Sequence, residues 1–200
     1  MFTPLYRDRH LCVVDKPVGL PVTPPRNGGA SVESRTGLRA AHRLDAETSG
    51  VLVLGASDEG LARAGTLFAE GAARKVYAAV VTPRPGVHLP DAGRCVLPIG
   101  DWQRGRVRVG RGRPATTDWQ VIGRDGARCA MIVTPRTGRT HQIRAHLDAL
   151  GAPIDGDTPY GGAPAARLHL HAWRLALPWE GGTLQLEAPL PAVFDGFPWP

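Results

Sequence analysis

Lysine is almost missing from this chain of 200 residues: of its 24 lysine and arginine side chains, only Lys16 and Lys75 are lysine. Cysteine is scarce as well. Cys12, Cys95 and Cys129 are odd in number, far apart and form no CxxC pair. That excludes a disulfide framework and a cysteine zinc site, and small buried hydrophobes are the expected role. No apolar run approaches the length that spans a bilayer. Arg7, Asp8, Arg9 and His10 stand where a secretory leader would need its apolar segment. A cytoplasmic protein with no membrane partner is expected. Internal repeats, low-complexity linkers and the HExxH pattern of a zinc hydrolase are absent too.

What is there describes a folded protein. Hydrophobic residues make up 42% and charged residues 21%, and the length suits a single domain spanning residues 1–200. The net charge of +6 favours a polyanionic partner. Against so strong an arginine habit, the two lysines mark places where an ammonium was used instead. Both become candidate substrate contacts.

The pattern of elements predicts an α+β fold with a mixed, mostly antiparallel sheet and a few packed helices. Leu11 to Val14 reads as a short strand, and Val51 to Leu54 as one buried on both faces. "SDEGLARAGTLFAEG" reads as a helix capped by Ser57, with Leu61, Ala64, Leu67 and Phe68 on one face. "KVYAAVV" alternates like a strand, and "TTDWQVI" and "CAMIVTP" pair around the turn "GRDGA". "RTHQIRAHLDALG" predicts a second helix with Ile143, Leu147 and Leu150 inward, and "LHLHAWRLAL" a late strand. Residues 31–39 show no clear period.

One stretch raises a chemical question. "AAHRLDAETSGVLVLG" sets His42, Arg43, Asp45 and Glu47 directly against an apolar run. A carboxylate there loses solvation, and a nearby arginine would hold it ionised, as a nucleophile or general base requires. A surface pair with Arg43 is the plain alternative. Tyr77 could extend a phenol from a sheet face or simply pack in the core. "TPRTGRTHQIRAH" places Arg136, Arg139, His141, Arg144 and His146 in one segment, where Arg144 could also pair with Asp148 along a helix.

Together these segments resemble a known family. "HRLDAETSG", "RKVYAAVV" and "TGRTHQIRAHLDALGAPIDGD", with the opening "VVDKPVGL" and the closing "LHAWRLAL", resemble the RluA-type pseudouridine synthases in type and order. The resemblance implies a pseudouridine-synthase-like catalytic domain that isomerises uridines of rRNA or tRNA without metal or organic cofactor. It implies that Asp45 starts breakage of the glycosidic bond, that Tyr77 stacks on the flipped base and takes its carbon-5 proton, and that Arg144 salt-bridges the aspartate, with Arg139 as fallback. Ile143 would lie beneath the base and Arg43 would occupy the space it vacates. His42, Lys16 and Lys75 join them as substrate-binding candidates.

The resemblance begins almost at residue 1, so no separate N-terminal S4 domain is expected. A monomer would then read a structured RNA stem-loop through the catalytic domain itself. "DWQRGRVRVGRGRPATTD" is the candidate reader, with Arg104, Arg106 and Arg108 alternating along an acid-free stretch, unless it is only a solvated hairpin. Two other classes compete. A non-catalytic RNA-binding module would keep the basic stretch without needing Asp45 or Tyr77. A metal-dependent hydrolase would have to build its centre from His169 and His171, since His141 and His146 fall on different helix faces.

Overall fold

The computed structural model describes residues 2, 4–103 and 105–200. In chain order come β1 (Pro4–Arg7), β2 (Leu11–Lys16), α1 (Val32–Thr36), β3 (Arg39–Ala40), β4 (Ser49–Gly55), α2 (Asp58–Ala69) and β5 (Arg74–Val81). There follow β6 (Ala92–Cys95), β7 (Ile99–Gln103), β8 (Arg106–Val109), β9 (Thr117–Asp125), β10 (Arg128–Pro135), α3 (Gln142–Ala149), β11 (Leu170–Trp179) and β12 (Gly182–Glu187). This is the expected α+β class, strand-rich, mixed and mostly antiparallel. The chain forms two compact units, Met1–Lys75 with His171–Pro189, and Val76–Leu170 with Leu190–Pro200.

In the first unit β4 is the central strand, buried at every position as its apolar run predicts. It pairs antiparallel with β2, from Leu11 opposite Gly55 to Lys16 opposite Gly50. It pairs in parallel with β11 at Ser49 opposite His171 and Gly50 opposite Ala172. α2 starts where expected, because the Ser57 hydroxyl accepts from the Gly60 amide and Asp58 and Glu59 face the positive end of the helix dipole. Ala64, Leu67 and Phe68 then pack against Leu11, Val13, Val51, Val53, Leu175 and Leu177. α1 was not legible. It is a five-residue helix closed by a capping box between Ser31 and Ser34, too short to show a period.

In the second unit β5, β10, β9 and β6 lie side by side, each pair antiparallel. β9 and β10 pair from Asp125 opposite Arg128 outward, across the predicted turn. β7 and β8 form a separate two-stranded ribbon. α3 corrects an expectation. It begins only at Gln142, and Gln142 through Leu147 are all buried, instead of a single inward stripe. The three cysteines are free and buried.

Candidate active site

Asp45 is half-buried in the loop joining β3 to β4. The loop is turned by a hydrogen bond from the Thr48 amide to the Asp45 carbonyl, 3.1 Å. Its next carbonyl, that of Ala46, accepts from the Gly19 amide and from the Lys16 ammonium, both at 2.8 Å. Lys16 also donates to the carbonyls of Pro17 at 2.9 Å and Leu20 at 2.7 Å, and its side chain is fully buried. The expectation that Lys16 touches RNA is therefore corrected: its ammonium is spent on three backbone carbonyls and fixes the loop that carries Asp45.

The rest of "HRLDAETSG" is also mounting. The Ser49 hydroxyl lies 2.7 Å from His171 Nδ1 on the neighbouring strand. Gly50 has φ 112°, and a Cβ there would lie 2.2 Å from the Ala172 carbonyl oxygen, so no side chain fits. Thr48 and Leu44 are buried. His42 Nε2 accepts from the Val53 amide at 3.1 Å, and its ring stacks on Phe68 with centroids 4.1 Å apart. Burial, reinforced by the charge of Lys75, pushes His42 down to about 3, so the ring is neutral and carries its proton on Nδ1. His42 is thereby committed to holding the loop on β4. Lys75 is half-buried, and burial pulls its ammonium below the ordinary lysine value. Arg43 is exposed.

In the second unit Tyr77 is buried on β5, opposite Val133 of β10. Arg144 is 4% exposed and makes a two-pronged ion pair with Asp157, Nε to Oδ2 and Nη2 to Oδ1, both 2.8 Å. The alternative that Arg144 serves Asp148 is overturned, because Arg84 takes that carboxylate. Arg144 Nη1 lies 3.0 Å from His141 Nε2, which must accept, leaving the His141 proton on Nδ1, 3.2 Å from the Tyr160 hydroxyl. This clamp holds His141 at φ 52°, a left-handed conformation costly for any residue with a Cβ. Ile143 is buried on the same helix.

The other residues of "GRTHQIRAH" tie the segment down. Gln142 accepts from the Thr137 hydroxyl and the Arg139 amide, and donates to the Thr116 carbonyl and the Thr117 hydroxyl. His146 bridges Thr117 Oγ1 and the Leu97 carbonyl, each 2.9 Å away. Arg139 Nε donates to the Pro114 carbonyl at 3.1 Å. The sequence reading missed Asp157 and Tyr160. A signal existed: "DGDTPY" places two acids and a tyrosine among glycines, where chain composition gives no other reason for them.

On the ribbon, Arg106 and Arg108 are exposed while Val107 between them is buried, the predicted alternation. Arg104 lies outside the described residues. The acid bounding this stretch, Asp118, is engaged by Arg94 at 2.5 Å and Arg136 at 2.8 Å, and these guanidiniums hold its carboxyl down to about 2.

Comparison with known proteins identifies the family. The family model described as RNA pseudouridylate synthase matches residues 10–149. An uncharacterized RNA pseudouridine synthase of Zymomonas mobilis is 33% identical over 95% of this chain and 94% of its own. The dual-specificity RNA pseudouridine synthase RluA of Escherichia coli is 36% identical over 92% of this chain and 91% of its own. Among solved structures, human RNA pseudouridylate synthase domain containing 4 superposes with a TM-score of 0.79 at 28% identity, covering 96% of this chain and 89% of that one. The family match runs through both segments that carry the candidate residues, and the relatives are covered almost end to end. This chain therefore belongs to the RNA pseudouridylate synthases, isomerases that make pseudouridine in RNA.

Proposed function

We propose that this enzyme isomerises particular uridines in rRNA or tRNA stem-loops, with Asp45 as its catalytic carboxylate. The observation that carries the reading is the mount of Asp45: buried Lys16, neutral His42, the Ser49–His171 contact and side-chain-free Gly50 all fix one half-buried loop. So much fixed structure around a loop is what a preorganised reacting group needs. It also favours catalysis over an RNA-binding module without chemistry.

The reaction breaks the bond from ribose C1′ to uracil N1, turns the detached base and forms a bond from C1′ to C5, after which the C5 proton leaves. The nucleotide must first leave the RNA stack. An ionised Asp45 can attack the ribose or take a proton from it, and either route starts the cleavage. Tyr77 offers the base a flat surface and accepts the C5 proton. Arg144, oriented by Asp157, is the guanidinium assigned to the reaction, and Ile143 supplies apolar surface to the base. Arg43 fills the place the base leaves, while Arg139, Lys75 and the exposed ribbon arginines contact RNA. The Escherichia coli relative's dual specificity supports a substrate range wider than a single target.

Pseudouridine mapped in rRNA and tRNA from a deletion strain and its parent tests this directly. At least one site should vanish and return with the wild-type gene. Asp45→Asn keeps the shape and removes the charge, so it should fail to restore that site, with turnover down on the order of a thousand-fold or more. Restoration by Asp45→Asn would sink the assignment.

A further inference from the structure

Trp102 is 58% exposed, at the outer part of a ribbon otherwise rich in arginine. The foot of that ribbon is rigid. Ile99 and Val107 are buried with Ala115, Ala145 and Tyr160, and the Val107 amide donates to the Tyr160 hydroxyl at 2.9 Å. After β8 the chain folds back as a brace. Ile99 and Arg113 exchange backbone hydrogen bonds of 2.9 Å, and the Gly110 amide donates to the Pro98 carbonyl at 2.8 Å. Gly112 permits the close approach: at φ 122°, a Cβ there would lie 2.2 Å from the Ile99 carbonyl oxygen.

Beyond the brace β7 runs into solvent, with Asp101, Trp102 and Gln103 all exposed. Trp102 stands opposite Val107 and shares its face, past the end of the small core. Gln103 stands opposite Arg106, on the face that also carries Arg108. Arg111 and Arg113 in the brace are exposed too. With more than half of its surface in water, the indole lies outside the small core and presents its ring to a ligand. Its surroundings select the ligand. Exposed guanidiniums on the same ribbon and brace as a flat, exposed aromatic suit a single nucleic-acid strand, whose phosphates take the charge while an unpaired base takes the ring face.

We propose that Trp102 is a stacking platform for an unpaired base of the substrate RNA, a base other than the uridine being isomerised. This rests on the RNA reading above and adds to it a requirement for single-stranded nucleotides beside the target.

The test compares two RNA probes, a hairpin with an unpaired loop and the same stem extended as a continuous duplex. Trp102→Ala should bind the hairpin about five- to 150-fold more weakly, the range for one lost base–aromatic stack, and bind the duplex as the wild type does. Trp102→Phe should recover most of the loss. The salt dependence of hairpin binding should stay the same, because no phosphate contact is removed. The control, Arg106→Gln with Arg108→Gln, should weaken both probes and flatten that slope by about 1.4 to 1.8 units. Unchanged hairpin affinity in Trp102→Ala, or equal weakening on both probes, overturns the proposal. Wild-type protein that restores no pseudouridine in the deletion strain overturns the proposed function instead, and the hairpin-to-duplex contrast still decides the stacking.

Discussion

An ammonium and a guanidinium solve different geometric problems, and at residue 16 the chain needs the first. Three carbonyls, of Pro17, Leu20 and Ala46, converge on Nζ at 2.9, 2.7 and 2.8 Å. A compact tetrahedral head meets three such acceptors, whereas the planar fork of arginine does not. This is why lysine survives here in an arginine-rich chain. The sequence made the rarity visible but could not show which way the side chain points, so a residue that braces the Asp45 loop looked like an RNA contact. The place of Asp45 in the loop before a buried strand was legible, because the acid precedes the apolar run of β4. Lys16→Met should take the ammonium from three carbonyls, leaving that of Ala46 only the Gly19 amide, and cost on the order of 3 kcal/mol, read from denaturant unfolding. Lys16→Arg should not rescue it, since the larger head has no room. Wild-type stability in Lys16→Arg would show that charge alone is what the site requires.

Elements with a strong period were legible, and those held by single polar contacts were not. β4 and α2 follow from an apolar run and a capped amphipathic pattern. α3 was legible as a helix but its burial on every side was not, because its polar side chains are buried by pairing: Arg144 with Asp157, Gln142 with Thr116 and Thr117, His146 with Thr117 and Leu97. Periodicity sees polarity and cannot see a partner far along the chain. Tyr160 joins two of these elements. Its hydroxyl accepts from the Val107 amide of β8 and meets His141 at the start of α3. Tyr160→Phe keeps the ring that packs with Ile99, Val107 and Ala145 but strands that buried amide, at a cost of about 1–3 kcal/mol. The Val107 amide should then exchange with solvent faster by roughly ten- to a hundred-fold, while the amides of β4 keep their protection. Equal exchange in both proteins would mean that the ring packing alone holds the ribbon.

For the molecule as a whole, the buried titrating groups point one way: acid should loosen it early. His42 is held down to about 3, and burial also lowers His146 and His169. In the unfolded chain these rings take up a proton near 6.5, which the folded chain refuses. Their contribution to stability is therefore present above about pH 6.5 and is lost as the pH falls from there toward 3. The carboxylates add a second, later loss. For Asp8, burial works to raise the value, but donors from Leu11, Tyr6, His10 and Trp179 outweigh it and hold the group at about 2. Asp118 is held at about 2 by Arg94 and Arg136. What these carboxylates contribute is present above the ordinary value near 3.8 and disappears as the pH drops toward 2. The net charge of +6 grows as the acids protonate, and self-repulsion then works in the same direction. Thermal unfolding followed from neutral pH downward should therefore show the midpoint falling well before ordinary carboxylates titrate. Between its unfolded and folded values one such ring contributes at most about 1.4 kcal/mol per pH unit. His42→Gln keeps an acceptor for the Val53 amide and cannot take up a proton, so it should remove part of the early fall and leave the later one. Asp8→Asn should do the reverse, lowering the midpoint at neutral pH and flattening the limb below about pH 4. A wild-type midpoint that stays level from about pH 7 to 5 would show that these histidines take up protons as readily in the folded chain as in the unfolded one.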